Sequence, residues 1–261
     1  MNETMDRRKL FAHARSFAVY YGHNQAQTLA RYDIAILEPA GQTADTLKEM
    51  RETKGTFALA YVSMTEVPEY DPLKPLLHDN DYLEIAGAIV GNAVYRTRVA
   101  DLRSPAWTGL ILHRIGHYLR HLSYDGIFMD TLSNVEWNIL PAGVQAEQQA
   151  AAVELITRIR ALYPTHILVQ NNGIQSLCWQ TAPLIDGICW ENPDFIRPET
   201  FAWHKSAKAR LRKLMRRFGI QIMLLQEEST AAKPAIEAAR YWAKRERFLH
   251  YAAPAHYLEV R

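Results

Sequence analysis

The chain has 261 residues, 48% of them hydrophobic and 22% charged, with a formal net charge of +2. That is enough apolar material for a sizeable core, which excludes disorder, and so balanced a charge points to no nucleic-acid or membrane partner. Only Cys178 and Cys189 are present, so no disulfide framework is implied, and no apolar run is long enough to span a bilayer. Met1 to Arg15 is polar and charged, without the apolar stretch of an export leader, and the sequence as given reads as soluble and cytoplasmic.

Taken in order, Phe17 to Tyr21 is short and apolar and ends at Gly22: strand one. Tyr32 to Glu38 forms strand two, stopped by Pro39. Leu47 to Lys54 has a helical pattern, and Thr56 to Ser63 gives strand three. Pro68 to Arg103 is irregular and long for a connection, which favours a functional loop. Ser104-Pro105 opens a helix, with Trp107, Leu110, Ile111, Ile115, Tyr118, Leu119 and Leu122 at helical spacing. Strand four is Asp125-Gly126-Ile127-Phe128-Met129-Asp130. A helix follows over Val144 to Tyr163, with Val153, Ile156, Ile159 and Leu162 on its inner face.

His166 to Gln170 comes next, then Asn171-Asn172-Gly173 and a short helix. The strand Asp186-Gly187-Ile188-Cys189-Trp190-Glu191 repeats the pattern of strand four. A basic helix spans Thr200 to Phe218, Ile220 to Leu225 precedes Gln226-Glu227-Glu228, and a last helix (Ala231 to Arg247) leads into a closing strand, Phe248 to Ala252. Eight strand candidates alternating with helices predict a parallel sheet. At this length that means an α/β fold, a single-domain (β/α)8 TIM barrel over residues 1–261. No glycine-rich phosphate loop follows strand one, against a nucleotide cofactor.

The two Asp-Gly strands carry the chemistry. Aligned on glycine, Asp130 falls on Glu191, each sharing a face with a mid-strand residue, while Ile127, Met129, Ile188 and Trp190 face the other way. In a barrel, strand C-termini line the active site. Glu38, Glu66, Asp130, Glu191, Asp194, Glu227 and Glu228 there predict an acidic mouth, suited to a cationic or polyhydroxylated substrate. Tyr20, Tyr21, Tyr61 and Trp190 are expected to add aromatic surface for sugar rings. Two carboxylates across a pocket are what glycoside hydrolysis requires, one to protonate the leaving oxygen and one to attack or activate water. The competing reading is that both are satisfied by arginines or backbone amides.

Two further features have bland readings beside sharper ones. His113, His117 and His121 recur at four-residue spacing and could bind a metal, but Arg114 replaces the glutamate of a zinc-protease motif. With Ile111, Ile115 and Leu122 on the opposite face, the histidines are expected to face solvent, so no metal site is assigned. Lys205, Lys208, Arg210, Arg212, Lys213, Arg216 and Arg217 could track a polyanion, yet the outward face of a barrel helix accounts for them.

Several blocks occur in one order along nearly the whole chain: Val19-Tyr20-Tyr21-Gly22, Tyr32-Asp33, Ala60-Tyr61-Val62-Ser63 with Glu66, Gly91-Asn92, Asp101 with Trp107, and Gly126 to Leu132. Together they resemble the endo-α-1,4-polygalactosaminidases (glycoside hydrolase family 114) and the hydrolase domain of the Pel-polysaccharide protein. The resemblance implies a (β/α)8 hydrolase of α-1,4-linked galactosamine or N-acetylgalactosamine polymers, without metal or other cofactor, in a family mostly exported. It implies Asp130 and Glu191 as the essential acids and, by analogy with retaining α-galactosidase barrels, Asp130 as nucleophile and Glu191 as general acid/base. Tyr20, Tyr21, Glu38, Tyr61, Ser63, Glu66, Asn171, Trp190 and Glu227 are the expected substrate-binding residues. The chain departs from the family pattern at Thr65, where glycine is frequent, and at Ser133-Asn134, where another acid commonly follows Asp-Thr-Leu. A silent glycan-binding or scaffold barrel is the rival expectation.

Overall fold

The computed structural model describes residues 7–261; the first six residues of the polar N-terminal stretch lie outside the described residues. Eight strands pair in parallel and in chain order: β1 (Phe17–Tyr20), β2 (Ile34–Leu37), β3 (Phe57–Ser63), β4 (Gly126–Asp130), β5 (Ile167–Asn171), β6 (Gly187–Glu191), β7 (Gln221–Glu227) and β8 (Leu249–Ala253). β8 returns beside β1, where Phe17 meets Tyr251 with ring centroids 5.8 Å apart, so the sheet is a nearly closed (β/α)8 barrel. The strands are short, almost wholly buried apolar runs, as expected when side chains fill the barrel on one face and meet helices on the other.

The helices are α1 (Arg7–Phe11), α2 (Ala26–Leu29), α3 (Ala44–Lys54), α4 (Pro105–Gly116), α5 (Ala142–Leu162), α6 (Leu177–Thr181), α7 (Phe201–Phe218) and α8 (Lys233–Glu246). Local chemistry sets several ends. Ser104 accepts from Trp107 N–H at 3.2 Å with Pro105 at the first helical position, and Gly219 takes the left-handed conformation (φ +70°) that ends α7. No helix among the described residues is long and apolar enough to cross a membrane.

Three sequence expectations are corrected. Leu162 does not face the barrel: it is 59% exposed, whereas Ile156 and Ile159 are buried as expected, together with Gln148, Ala152 and Leu155. Lys208 does not join the solvated cations of α7; its ammonium lies over the Trp242 ring, beside Phe195, with the side chain buried. The Pro68–Arg103 segment is also ordered. Glu66–Pro68, Thr97–Val99 and Gly91–Asn92 form an antiparallel sheet, and a hairpin turns at Ala86-Gly87, both at positive φ. Leu83, Val90 and Val99 of this excursion form a small second core with Leu140, which lies just before α5.

α1 caps the N-terminal end of the barrel. Its Phe11 ring meets Phe57 at 5.9 Å, while Arg7 and Arg8 pair with Asp125 and Asp186, the residues that open β4 and β6. Asp125 accepts from Ala58 N–H at 2.8 Å, and Asp186 accepts from Leu168 N–H at 2.9 Å. Gly126 follows because a Cβ there would lie 2.1 Å from the Ile167 carbonyl oxygen. In each Asp-Gly strand, then, the first acid ties the base of the barrel together and the last acid reaches the mouth.

Candidate active site

Paired residues on parallel neighbours face the same side of the sheet. The pairs Val169 with Phe128 and Asn171 with Cys189 therefore bring Asp130, Asn171 and Glu191 into one phase at the mouth of three adjacent strands. One nitrogen joins them: Asn171 Nδ2 donates to Asp130 Oδ1 and to Glu191 Oε2, each at 2.7 Å. The remaining carboxylate oxygens each take a phenol, Tyr61 to Asp130 Oδ2 at 2.8 Å and Tyr257 to Glu191 Oε1 at 2.5 Å. Asn171 Oδ1 is buried with no hydrogen-bond partner among the described residues.

A repeated backbone device aims these groups. The residue after each of them is left-handed although it is not glycine: Thr131 (φ +62°), Asn172 (φ +52°) and Asn192 (φ +49°). Each then clamps a neighbouring strand. Thr131 Oγ1 accepts from Met64 N–H and Thr65 N–H at 3.1 and 2.9 Å, Asn172 Oδ1 accepts from Glu191 N–H at 3.0 Å, and Asn192 Oδ1 accepts from Glu227 N–H at 2.8 Å. The chain thus turns sharply away from each functional side chain and fixes the start of the next loop.

Burial is the first cause raising both acids above the usual carboxylate range. For Glu191 the Asp130 charge adds to burial, and the donors Tyr257 and Asn171 only partly offset them. For Asp130 the donors Asn171, the Thr131 backbone and Tyr61 come directly after burial and oppose it, with Glu66 adding a smaller push upward. Three donors thus oppose burial at Asp130, whereas two do so at Glu191. Burial, then mutual charge, also raises the phenols: Tyr21 and Tyr61 are pushed far up, as is Tyr257. They stay protonated donors.

The other expected residues divide. Tyr21 belongs to the site, with its ring between Tyr61 (5.2 Å) and Tyr257 (5.1 Å). Ser63 is in phase with Asp130 but its hydroxyl is used in a turn, donating to the Glu66 carbonyl at 2.7 Å. Glu66 does not offer a free carboxylate: Asn92 and Asn134 donate to Oε1 at 3.1 and 2.9 Å, and Thr97 donates to Oε2 at 2.6 Å. Glu227 is likewise engaged, by Ser229 N–H at 2.9 Å and His256 N–H at 3.2 Å. Burial pushes Glu227 up, but these donors win and hold its carboxyl below the usual range.

Glu38 is not joined to the pair. It caps the turn Pro39–Gly41 through Ala40 N–H at 3.2 Å, and burial raises its carboxyl, with Arg114 and Asp71 as its charged neighbours. Trp190 and Tyr20 add no surface to the mouth. Trp190 faces outward, buried against Phe195, Trp203 and His204, and the Tyr20 hydroxyl donates to the His23 carbonyl at 3.0 Å. Both lie one residue out of phase with the inward positions Tyr21 and Glu191. Of the remaining acids, Asp194 pairs with Arg197 at 3.1 Å and Glu228 with Arg261 at 2.6 Å.

Two groups at the mouth carry no sequence signal. Tyr257 follows the last strand, and Tyr95 sits in the turn between Gly91–Asn92 and Thr97–Val99, 72% exposed. Burial and the charges of Glu191, Glu66, Asp130 and Glu227 raise the Tyr95 phenol, which sets it beside the acidic mouth. His113, His117 and His121 are exposed on and after α4, with a π-turn over His117–His121 and the His117 and His121 rings 5.6 Å apart. No group of three potential metal ligands occurs among the described residues. Cys178 and Cys189 are both free and buried.

The fold is that of the (β/α)8 barrels of glycoside hydrolases. Among solved structures, the glycoside hydrolase domain of PelA from Pseudomonas aeruginosa matches with a TM-score of 0.76 at 18% identity, over 94% of this chain and 96% of that one. Ega3 from Aspergillus fumigatus, in complex with galactosamine, matches with a TM-score of 0.71 at 11% identity, over 95% and 93%. The α-galactosidase TtGalA from Thermus thermophilus, in complex with stachyose, gives 0.60 at 15% identity, over 97% and 66%. At such identities the likeness is one of fold. No family model and no curated protein matches the sequence.

Proposed function

We propose that this chain is a glycoside hydrolase that cleaves α-1,4-linked galactosamine or N-acetylgalactosamine polymers or oligosaccharides with retention of configuration. The observation that carries the reading is the shared brace. Asp130 Oδ1 and Glu191 Oε2 each lie 2.7 Å from one Asn171 nitrogen, so they are no further apart than twice that distance. Retaining enzymes hold their carboxyls about 5–5.5 Å apart, whereas inverting enzymes leave roughly 6.5–9.5 Å for a water.

In this mechanism Asp130, the acid with more donors opposing its burial, attacks the anomeric carbon. Glu191, kept protonated by burial and by the Asp130 charge, gives its proton to the departing glycosidic oxygen. Its carboxylate then deprotonates the water that opens the glycosyl ester. Tyr61 and Asn171 hold Asp130 for attack, and Asn171 Oδ1 supplies a buried acceptor for a hydroxyl or ammonium donor. The amino sugar is favoured because Glu66 and Glu227 add charge around the pair, and a partly deacetylated polymer is cationic. The fold shared with PelA's hydrolase domain and with Ega3, which was solved with galactosamine, agrees with that class.

The test is reducing-end release from deacetylated α-1,4-galactosaminan. Wild type should release ends, with α-configured products appearing first by NMR. Asp130→Asn and Glu191→Gln should each lose at least about 10²-fold in rate while staying folded. A first product of β configuration would exclude retention. No release by the folded wild type, across a panel of amino-sugar polymers, would favour a binding barrel without hydrolysis.

A further inference from the structure

The chain leaves β8 through Pro254 into three consecutive residues at positive φ: Ala255 (+46°), His256 (+53°) and Tyr257 (+66°). None is glycine, and L-residues are disfavoured there, so the turn persists only if its surroundings over-determine it. Those surroundings are the mouth itself. Glu227, buried at the end of β7, accepts from His256 N–H at 3.2 Å, and the His256 ring lies 3.5 Å from the same carboxylate. The Tyr257 carbonyl accepts from Tyr21 N–H at 2.7 Å, and the two rings lie 5.1 Å apart. The outcome of this strain is one contact, the Tyr257 hydroxyl on Glu191 Oε1 at 2.5 Å.

We propose that Tyr257 is a positioning residue for Glu191, delivered by a strained C-terminal turn that Glu227 anchors, and that it sets the range over which Glu191 can act as the acid. The inference rests on the hydrolase reading for its consequence, not for its geometry. A phenol donating to a carboxylate favours the ionised form, so Tyr257 opposes the effects that hold the proton on Glu191. The groups facing Glu191 from the packed elements are Asp130, Glu227, Tyr21, Tyr61, Tyr95 and Cys189. Asp130 and Glu227 push it up, and Tyr257 with Asn171 are the donors that pull it down. Asn171 is shared with Asp130, whereas Tyr257 acts on Glu191 alone, and that makes it the residue able to separate the two acids.

The test needs no substrate. In protein carrying 13C-carboxyl glutamate, the Glu191 resonance is assigned by its loss in Glu191→Gln and titrated in wild type and in Tyr257→Phe. The phenylalanine keeps the ring that packs on Tyr21, so folding should be retained and is checked by circular dichroism. Removing the hydroxyl should raise the Glu191 midpoint by about one pH unit. A midpoint that does not move in the folded variant would overturn the proposal. On the polymer, the basic limb of kcat/KM should shift upward by the same amount while the acidic limb, set by Asp130, stays nearly in place. A carboxyl that moves while the basic limb does not would overturn the limb of the proposal that makes Glu191 the acid. Wild type that cleaves no polymer would remove the hydrolase reading and leave the titration to decide the positioning role.

Discussion

Asn171 gives both hydrogens of one amide to two acids, and this only partly offsets the cost of burying the pair. Each acid has its pKa raised in the folded state, chiefly by burial, so between the ordinary and the raised value the folded protein binds more protons than the unfolded chain. Stability therefore falls as pH rises through that window and stays reduced above it. Glu191→Gln and Asp130→Asn remove the titrating group while keeping shape. Each should melt a few degrees above wild type at neutral pH, with the gain vanishing below the ordinary carboxylate range. A calorimetric melting series across pH would sink this account if the amide variants were equally or less stable at neutral pH. The meeting of Asp130 and Glu191 was legible in the sequence because two near-identical strands each ended on an acid in one phase, whereas Asn171 ends a third strand outside that repeat. Trp190 was misread despite that same alternation, which sends it to the outer face once Glu191 faces in. Tyr257 was invisible, since an aromatic in a short exit turn has no period, and its contact depends on backbone conformation that a sequence does not display.

At the scale of elements, the excursion between β3 and β4 is organised around Glu66 as well as around its small apolar core. Its strands are two or three residues long, too short for alternation to be read, which is why the segment looked irregular. Asn92 and Thr97 lie at the two ends of the turn that carries Tyr95, and both donate to the Glu66 carboxylate, as does Asn134 from the loop after β4. Glu66→Ala leaves the buried donor Asn134 and the half-buried donors Asn92 and Thr97 unpaired and should cost about 1–3 kcal/mol. Its local signature is faster hydrogen exchange at Asn92 to Thr97 than in β4 or β5. Uniform loss of protection across the barrel would mean that Glu66 supports the whole fold instead. The same element logic explains Lys208. The basic run of α7 gave its outward face, but the ring of Trp242 that captures one lysine comes from α8, and no window on α7 alone contains it.

Across the whole molecule, the repeated Asp-Gly strands divide stability from chemistry along the barrel axis. At the base, Asp186 accepts from Arg8 and Arg160 at 2.6 Å each and from Leu168 N–H, with its side chain almost wholly enclosed. At the mouth, five residues further along the same strand, Glu191 is held by a phenol and an amide, with no cation bonded to it among the described residues. The base acid is thus held by cations and the mouth acid by neutral donors beside other acids. Removing the charge at the two ends should therefore have opposite consequences. Asp186→Ala leaves Arg160 buried without its carboxylate and should lower stability by about 3–5 kcal/mol in urea unfolding. The folded fraction, assayed well below its melting temperature, should retain turnover within about twofold, because nothing at the mouth has changed. Glu191→Gln should show the reverse, a more stable barrel with its turnover gone. If Asp186→Ala lost turnover while remaining folded, base and mouth would be coupled through β6, and the division of labour along the strand would be wrong.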